Sequence, residues 1–206
     1  MLSLVAGCAA AAGCDDQQPS LDAPAAPSPS AGTRTPSPTP AAAELPTGAL
    51  RDLVPAPQEV QAGLVPLLQA SGPRDAASVA AFSSDPAAAM ASLAANGFTD
   101  AYVVQYAAAA DPRSLSVVAV RFATSEGAKA DYEGDVAVGG GEPVEVETVG
   151  EASQVRRLTL PDAADQDLVT VRFRSGATTW LLAWRARLPA DAAVPVALAR
   201  TLAERG

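Results

Sequence analysis

The sequence predicts an α+β domain, an antiparallel sheet of about six strands in hairpins and a meander with helices packed on it, spanning residues 48–206. Three observations carry this expectation. Between residues 101 and 188, β-branched and aromatic residues alternate with polar ones in short runs. Most of those runs are separated by brief Pro, Gly, Asp and Ser clusters, too short for the crossovers that parallel pairing needs. Two segments, 86–96 and 192–204, carry apolar residues at helical spacing.

The chain opens with an apolar run, residues 2–13 (LSLVAGCAAAAG), shorter than the roughly 20 residues a spanning helix needs but suited to a signal segment. Both cysteines lie in this run or directly after it. Val5-Ala6-Gly7-Cys8 and Ala11-Ala12-Gly13-Cys14 each resemble the lipobox of bacterial lipoproteins, in which a small residue precedes the acylated Cys. The resemblance implies export, lipidation of that Cys and cleavage just before it. Cys14 is the favoured site, because it leaves more of the chain for the signal and is followed at once by polar Asp15-Asp16-Gln17-Gln18. Cys8, with Val at the third position before it, is the alternative. No Lys or Arg precedes Arg34, a departure from the basic start of such signals, so translation from another start is open. A small apolar helix with two buried thiols is the competing structural reading.

Residues 15–47 read as a tether. Eight of the 18 prolines fall between Pro19 and Pro46 among Ser, Thr and Ala, a composition that builds no core. As a coil such a segment reaches about 30 Å, and about 90 Å if drawn into a polyproline-like rod. A passive spacer is the preferred reading, and the Ser/Thr/Pro density also permits O-glycosylation.

Within the domain, residues 50–84 carry Pro55, Pro57, Pro66 and Gly72-Pro73, so little regular structure is expected there beyond a short helix over 75–82. Asp85 as N-cap, Pro86 at the first helical position, a Met90, Leu93 and Ala94 face and Gly97 after the end predict a helix over 86–96. Ala101–Ala107 and Leu115–Ala123 read as a hairpin. Thr124 or Ser125 caps a helix running through Tyr132 and stopped by Gly134. Residues 143–149, 153–161, 167–173 and 177–188 read as a four-stranded meander. A Ser175-Gly176 turn would set Val171 opposite Trp180 and Val169 opposite Leu182, with Trp180, Leu182, Trp184, Val169, Val171 and Phe173 on one face. A final helix over 192–204 presents Val194, Ala197, Leu198, Thr201 and Leu202 to that face, with Pro195 tolerated in its first turn. Val118–Phe122 and Val169–Phe173 share a V-x-V-R-F string, read as a good half-buried strand rather than a duplication.

Composition excludes several chemistries. The 206 residues include no histidine, so His-based triads and His-ligated zinc are absent. A net charge of -9 argues against nucleic-acid binding, which relies on Lys and Arg at phosphates. Asp162, Asp165 and Asp167 form an acidic stretch without the glycine and terminal Glu of a calcium loop. Gly139-Gly140-Gly141 lacks the Lys-Ser/Thr and helix of a phosphate cradle. No metal site and no cofactor are expected.

Arg121, Arg172, Arg174, Arg185 and Arg187 lie out of phase with the apolar side of their strands and are the candidate ligand or partner face. Guanidinium forks grip carboxylates and phosphates, whereas cross-strand pairing with Glu145, Glu147 or nearby acids is the plain structural alternative. Trp180 and Trp184 can line a groove but sit in phase with the core.

As a whole the chain resembles the cell-envelope lipoproteins of high-GC, actinobacterial type: an acylatable Cys, an Ala/Pro/Ser/Thr tether and a small cysteine-free domain. That resemblance implies a membrane-anchored, extracytoplasmic protein. The expected function is a non-enzymatic module that binds an anionic envelope ligand or an envelope protein through its sheet face or a sheet–helix groove. An acid-based hydrolase of envelope polysaccharide and a purely structural subunit of an envelope complex are the alternatives.

Overall fold

The computed structural model describes residues 44–206 except Gly139, Pro161, Asp162 and Ala164. Cys8, Cys14, the signal segment and most of the tether lie outside the described residues.

Eight strands form one antiparallel sheet: β1 (Leu64–Pro66), β2 (Gly72–Arg74), β3 (Phe98–Ala108), β4 (Ser114–Phe122), β5 (Glu142–Pro143), β6 (Ala152–Thr159), β7 (Gln166–Ser175) and β8 (Thr178–Arg187). Their order is β1-β3-β4-β8-β7-β6-β5, with β2 also pairing with β3. Four helices accompany them, α1 (Ala76–Ala80), α2 (Pro86–Ala95), α3 (Ser125–Val138) and α4 (Ala193–Ala203). The α+β class and the antiparallel sheet are as expected; β1 and β2 are additional. Each contains a proline, which an edge strand accommodates because its outward side makes no ladder bond.

The sheet has two buried faces. On one, Tyr102, Val104, Val117, Val171, Phe173 and Trp180 join one large cluster, covered by α4 and by residues 45–64. On the other, Ala101, Val120 and Phe122 meet Ala80, Leu93 and Ala128 of α1, α2 and α3. The irregular segment over the first face is tied down by aromatic donors. The Tyr102 hydroxyl donates to the Pro46 carbonyl at 2.6 Å, the Tyr106 hydroxyl to Pro55 at 2.6 Å, and the Trp180 indole N–H to Leu53 at 2.9 Å. Leu45 is core, so the folded unit includes the last residues assigned to the tether.

Several expectations are corrected in detail. The β7–β8 turn is Gly176-Ala177, so Phe173 faces Trp180, Val171 faces Leu182 and Val169 faces Trp184. A glycine at φ +54 in the first central position suits a two-residue hairpin loop, and the slip of two residues preserves which side chains share a face. Helix α3 is capped by Thr124, whose hydroxyl accepts the Gly127 N–H, and it runs through Gly134 to Val138. An exposed mid-helix glycine costs only about 1 kcal/mol, and Asp135 beyond it pairs with Arg172. In α2 only Leu93 is buried, while Met90 and Ala94 are exposed. The buried stripe of α4 is Pro195, Val196, Ala199 and Leu202, with Val194 and Leu198 half-buried and Thr201 exposed. Of residues 143–149 only Pro143, with Glu142, is strand, because this segment forms the sheet's edge and Glu145 and Glu147 turn to solvent. The V-x-V-R-F strings occupy opposite phases: Val120 and Phe122 face the α1–α3 side, Val169, Val171 and Phe173 the other.

Candidate functional site

The phase reversal separates the five arginines. Register pairs Arg121 with Thr178, on the face of Trp180, whereas Arg172, Arg174, Arg185 and Arg187 share the opposite face. Two of those four are engaged. The Arg172 guanidinium sits 3.3 Å from the Asp131 carboxylate and also pairs with Asp135, docking α3 onto β7. Burial pushes the Asp131 carboxyl above the usual aspartate range, against the pull of Arg172. Arg174 pairs with Glu151, which also accepts the Gly176 N–H and so braces the β7–β8 turn. Arg185 and Arg187 make no ion pair among the described residues. Arg185 lies near Ser114, Ser116, Thr170 and Ala183, half-buried positions that neither apolar cluster reaches.

At this end of the sheet the β3–β4 loop, the end of β8 and the residues leading into α4 enclose a cleft of about 360 Å³. That volume lies at the low end of the roughly 300–1,000 Å³ typical of small-ligand pockets. Trp184, Ala186, Pro112, Pro189 and Val194 supply its apolar walls, and Gln61, Asp111, Arg113, Arg187 and Asp191 its polar rim. On the rim Arg113 is consumed: its Nε and one terminal nitrogen grip Asp111 at 2.8 Å each, and the other donates to Gln61 Oε1 at 2.8 Å. That grip holds the Asp111 carboxyl below its ordinary range.

The Pro189–Asp191 wall is fixed through Ala190. The Ala190 N–H donates to Asp167 Oδ2 at 3.1 Å, and the Ala190 carbonyl accepts from Arg157 at 2.9 Å. Asp167 is buried to 1% exposure and also accepts the Thr159 hydroxyl at 2.9 Å. The acidic stretch is therefore divided: Asp167 is a structural anchor, and Asp162 lies outside the described residues. Gly139 of the glycine run also lies outside them.

The two tryptophans differ. Trp180 stacks on Phe173 with centroids 4.8 Å apart and spends its N–H on Leu53. Trp184 is equally buried, yet its indole N–H has no hydrogen-bond partner among the described residues. Trp184, Gln61 and Val194 line both the cleft and a neighbouring cavity of about 40 Å³. Sequence periodicity placed Trp184 in the core and missed the cleft, because the loop over Ala109–Arg113 and the Pro189–Asp191 wall meet only in the folded chain.

No protein-family model matches the chain, and no curated protein matches it. Among solved structures, the extracellular domain of PknH from Mycobacterium tuberculosis is similar in fold, with a TM-score of 0.50 at 12% sequence identity, covering 75% of this chain and 92% of that one.

Proposed function

We propose that this chain is a lipid-anchored extracytoplasmic lipoprotein, held at Cys14, whose α+β domain binds an anionic ligand of the cell envelope without turning it over. The observation that carries the reading is the pair Arg185 and Arg187. They stand two residues apart on one sheet face, Arg187 on the rim of the cleft, and neither has an ion-pair partner among the described residues of an acidic chain. The absence of histidine supports a role without turnover, and the lipobox-like segment supports the anchor. The fold likeness to a domain described as extracellular agrees with that location.

The test uses the full chain on whole cell-envelope material. Wild type is retained, Arg185→Glu/Arg187→Glu is released, and Lys129→Glu, a charge reversal on α3 away from the cleft, is retained. Arg172 is not a suitable target, since its loss strips Asp131 of its partner and undocks α3. Equal retention of the double variant, or hydrolysis of an envelope polymer by wild type, overturns the reading. For the anchor, intact mass and membrane partition in a bacterium should show Cys14→Ala unacylated and soluble, and Cys8→Ala unchanged.

A further inference from the structure

We infer that the cleft beside Trp184 binds a small amphipathic anion, a carboxylate, sulfonate or phosphate carried on an apolar body, with its charge at Arg187. This deepens the binding reading above and rests on it only for the ligand's source. The charge follows from the rim. Asp111 and Arg113 neutralise each other, and the two Nη1 hydrogens of Arg113 go to Gln61 and the Ala62 carbonyl. Asp191 accepts the Ala193 N–H at 2.9 Å and keeps its charge, so the anion is placed by contact with the Arg187 guanidinium rather than by a net positive rim. Arg187 is exposed and makes no side-chain hydrogen bond or ion pair among the described residues, so it is the rim cation with donors to offer.

The apolar body follows from the walls. Trp184, Ala186, Pro112, Pro189 and Val194 offer no charge and little hydrogen bonding, so a wholly polar anion would surrender hydration there without return. Leu188, between Arg187 and Pro189 in the chain, leaves 51% of its surface in solvent, which puts an apolar side chain next to the rim cation. Trp184 is the wall suited to respond. Its N–H makes no bond in place, unlike that of Trp180, so packing alone holds the indole. A neighbouring cavity of about 40 Å³ leaves part of its surroundings unfilled, and an acceptor on the ligand would meet an unsatisfied donor.

The experiment titrates the full chain with anilinonaphthalene sulfonate, followed by competition with decanoate, octyl phosphate and neutral decanol. The expected result is one saturable site, displaced by both anions and at least about tenfold less well by the alcohol. Arg187→Glu should weaken the probe about tenfold or more, and Lys129→Glu should leave it unchanged. The ligand-dependent change in tryptophan emission should vanish in Trp184→Phe and persist in Trp180→Phe. Probe fluorescence reports binding in every variant, and far-ultraviolet circular dichroism reports whether each one folds. Non-saturable binding, equal displacement by decanol, or an unchanged affinity in folded Arg187→Glu overturns the proposal. Saturable probe binding without envelope retention leaves the cleft standing and removes the envelope reading. Envelope retention without probe binding does the reverse.

Discussion

Tyr106 donates its buried hydroxyl to the Pro55 carbonyl at 2.6 Å, and so fastens a proline-rich segment that lies between two short 3-10 turns, Arg51–Leu53 and Pro57–Glu59. Tyr106→Phe removes the donor and leaves a buried carbonyl unpaired, at a cost of about 1–3 kcal/mol in urea unfolding. Asp167 does comparable work at the other end of the same face. Its carboxylate serves the Ala190 N–H and the Thr159 hydroxyl, with Arg157 Nε 3.8 Å away. Asp167→Ala strands all three groups and should cost about 2–4 kcal/mol. The same variant should loosen the cleft wall, read as faster amide exchange at Ala190 and Asp191. A variant with unchanged stability and exchange would show that the cluster is not an anchor. Neither role was legible in the sequence, since a hydroxyl or carboxylate shows no partner until the chain brings one.

At the scale of elements, α3 is docked as much by charge as by apolar contact. Its only alanine in the apolar cluster is Ala128, whereas Asp131 meets Arg172 and Thr179 across the interface. Gly127 allows the close approach: a Cβ there would lie 2.1 Å from the Asn96 carbonyl oxygen at the end of α2. Because burial raises the Asp131 pKa above the ordinary aspartate range, the folded chain keeps a proton that the unfolded chain releases. The stability this provides is present below the unfolded value and is lost as pH rises through the folded one. In Asp131→Asn that contribution is absent. The stability of wild type minus that of Asp131→Asn should therefore fall as pH rises from about 4 toward neutrality, read from denaturant midpoints at each pH. A difference that rises over this range would show the carboxylate to be favoured by its site.

At the scale of the molecule, the pairing of β8 with β4 joins the first hairpin to the meander and makes one sheet of them. It places Trp180 opposite Ala119 and Leu182 opposite Val117, so that one core runs across both halves. Burial raises the phenol pKa values of Tyr102, Tyr106 and Tyr132 above 10.0. Protons lost on unfolding make stability fall as pH rises beyond about 10, so tyrosinate absorbance should appear together with unfolding. Tyrosinate formed in a chain that still shows its near-ultraviolet signal would contradict this. Both cysteines precede residue 15, so the thermal unfolding of the domain should be the same with and without reductant.

The sequence by itself determined the local structure: the alternating strands, the Asp85 cap, a cap for α3 at Thr124 or Ser125, Pro195 in the first turn of α4, and the side chains that share a face with Trp180 and Trp184. These follow from forces that act within a few residues, namely backbone sterics, capping and a side-chain period of two. Tertiary structure alone decided the rest. It set the join of β4 to β8, the opposed phases of the two V-x-V-R-F strands, the capture of Arg172 and Arg174 by acids, and the cleft between Pro112 and Pro189. Each of these depends on which distant surfaces meet, and that choice is made by the free energy of the whole packed core rather than by any one segment.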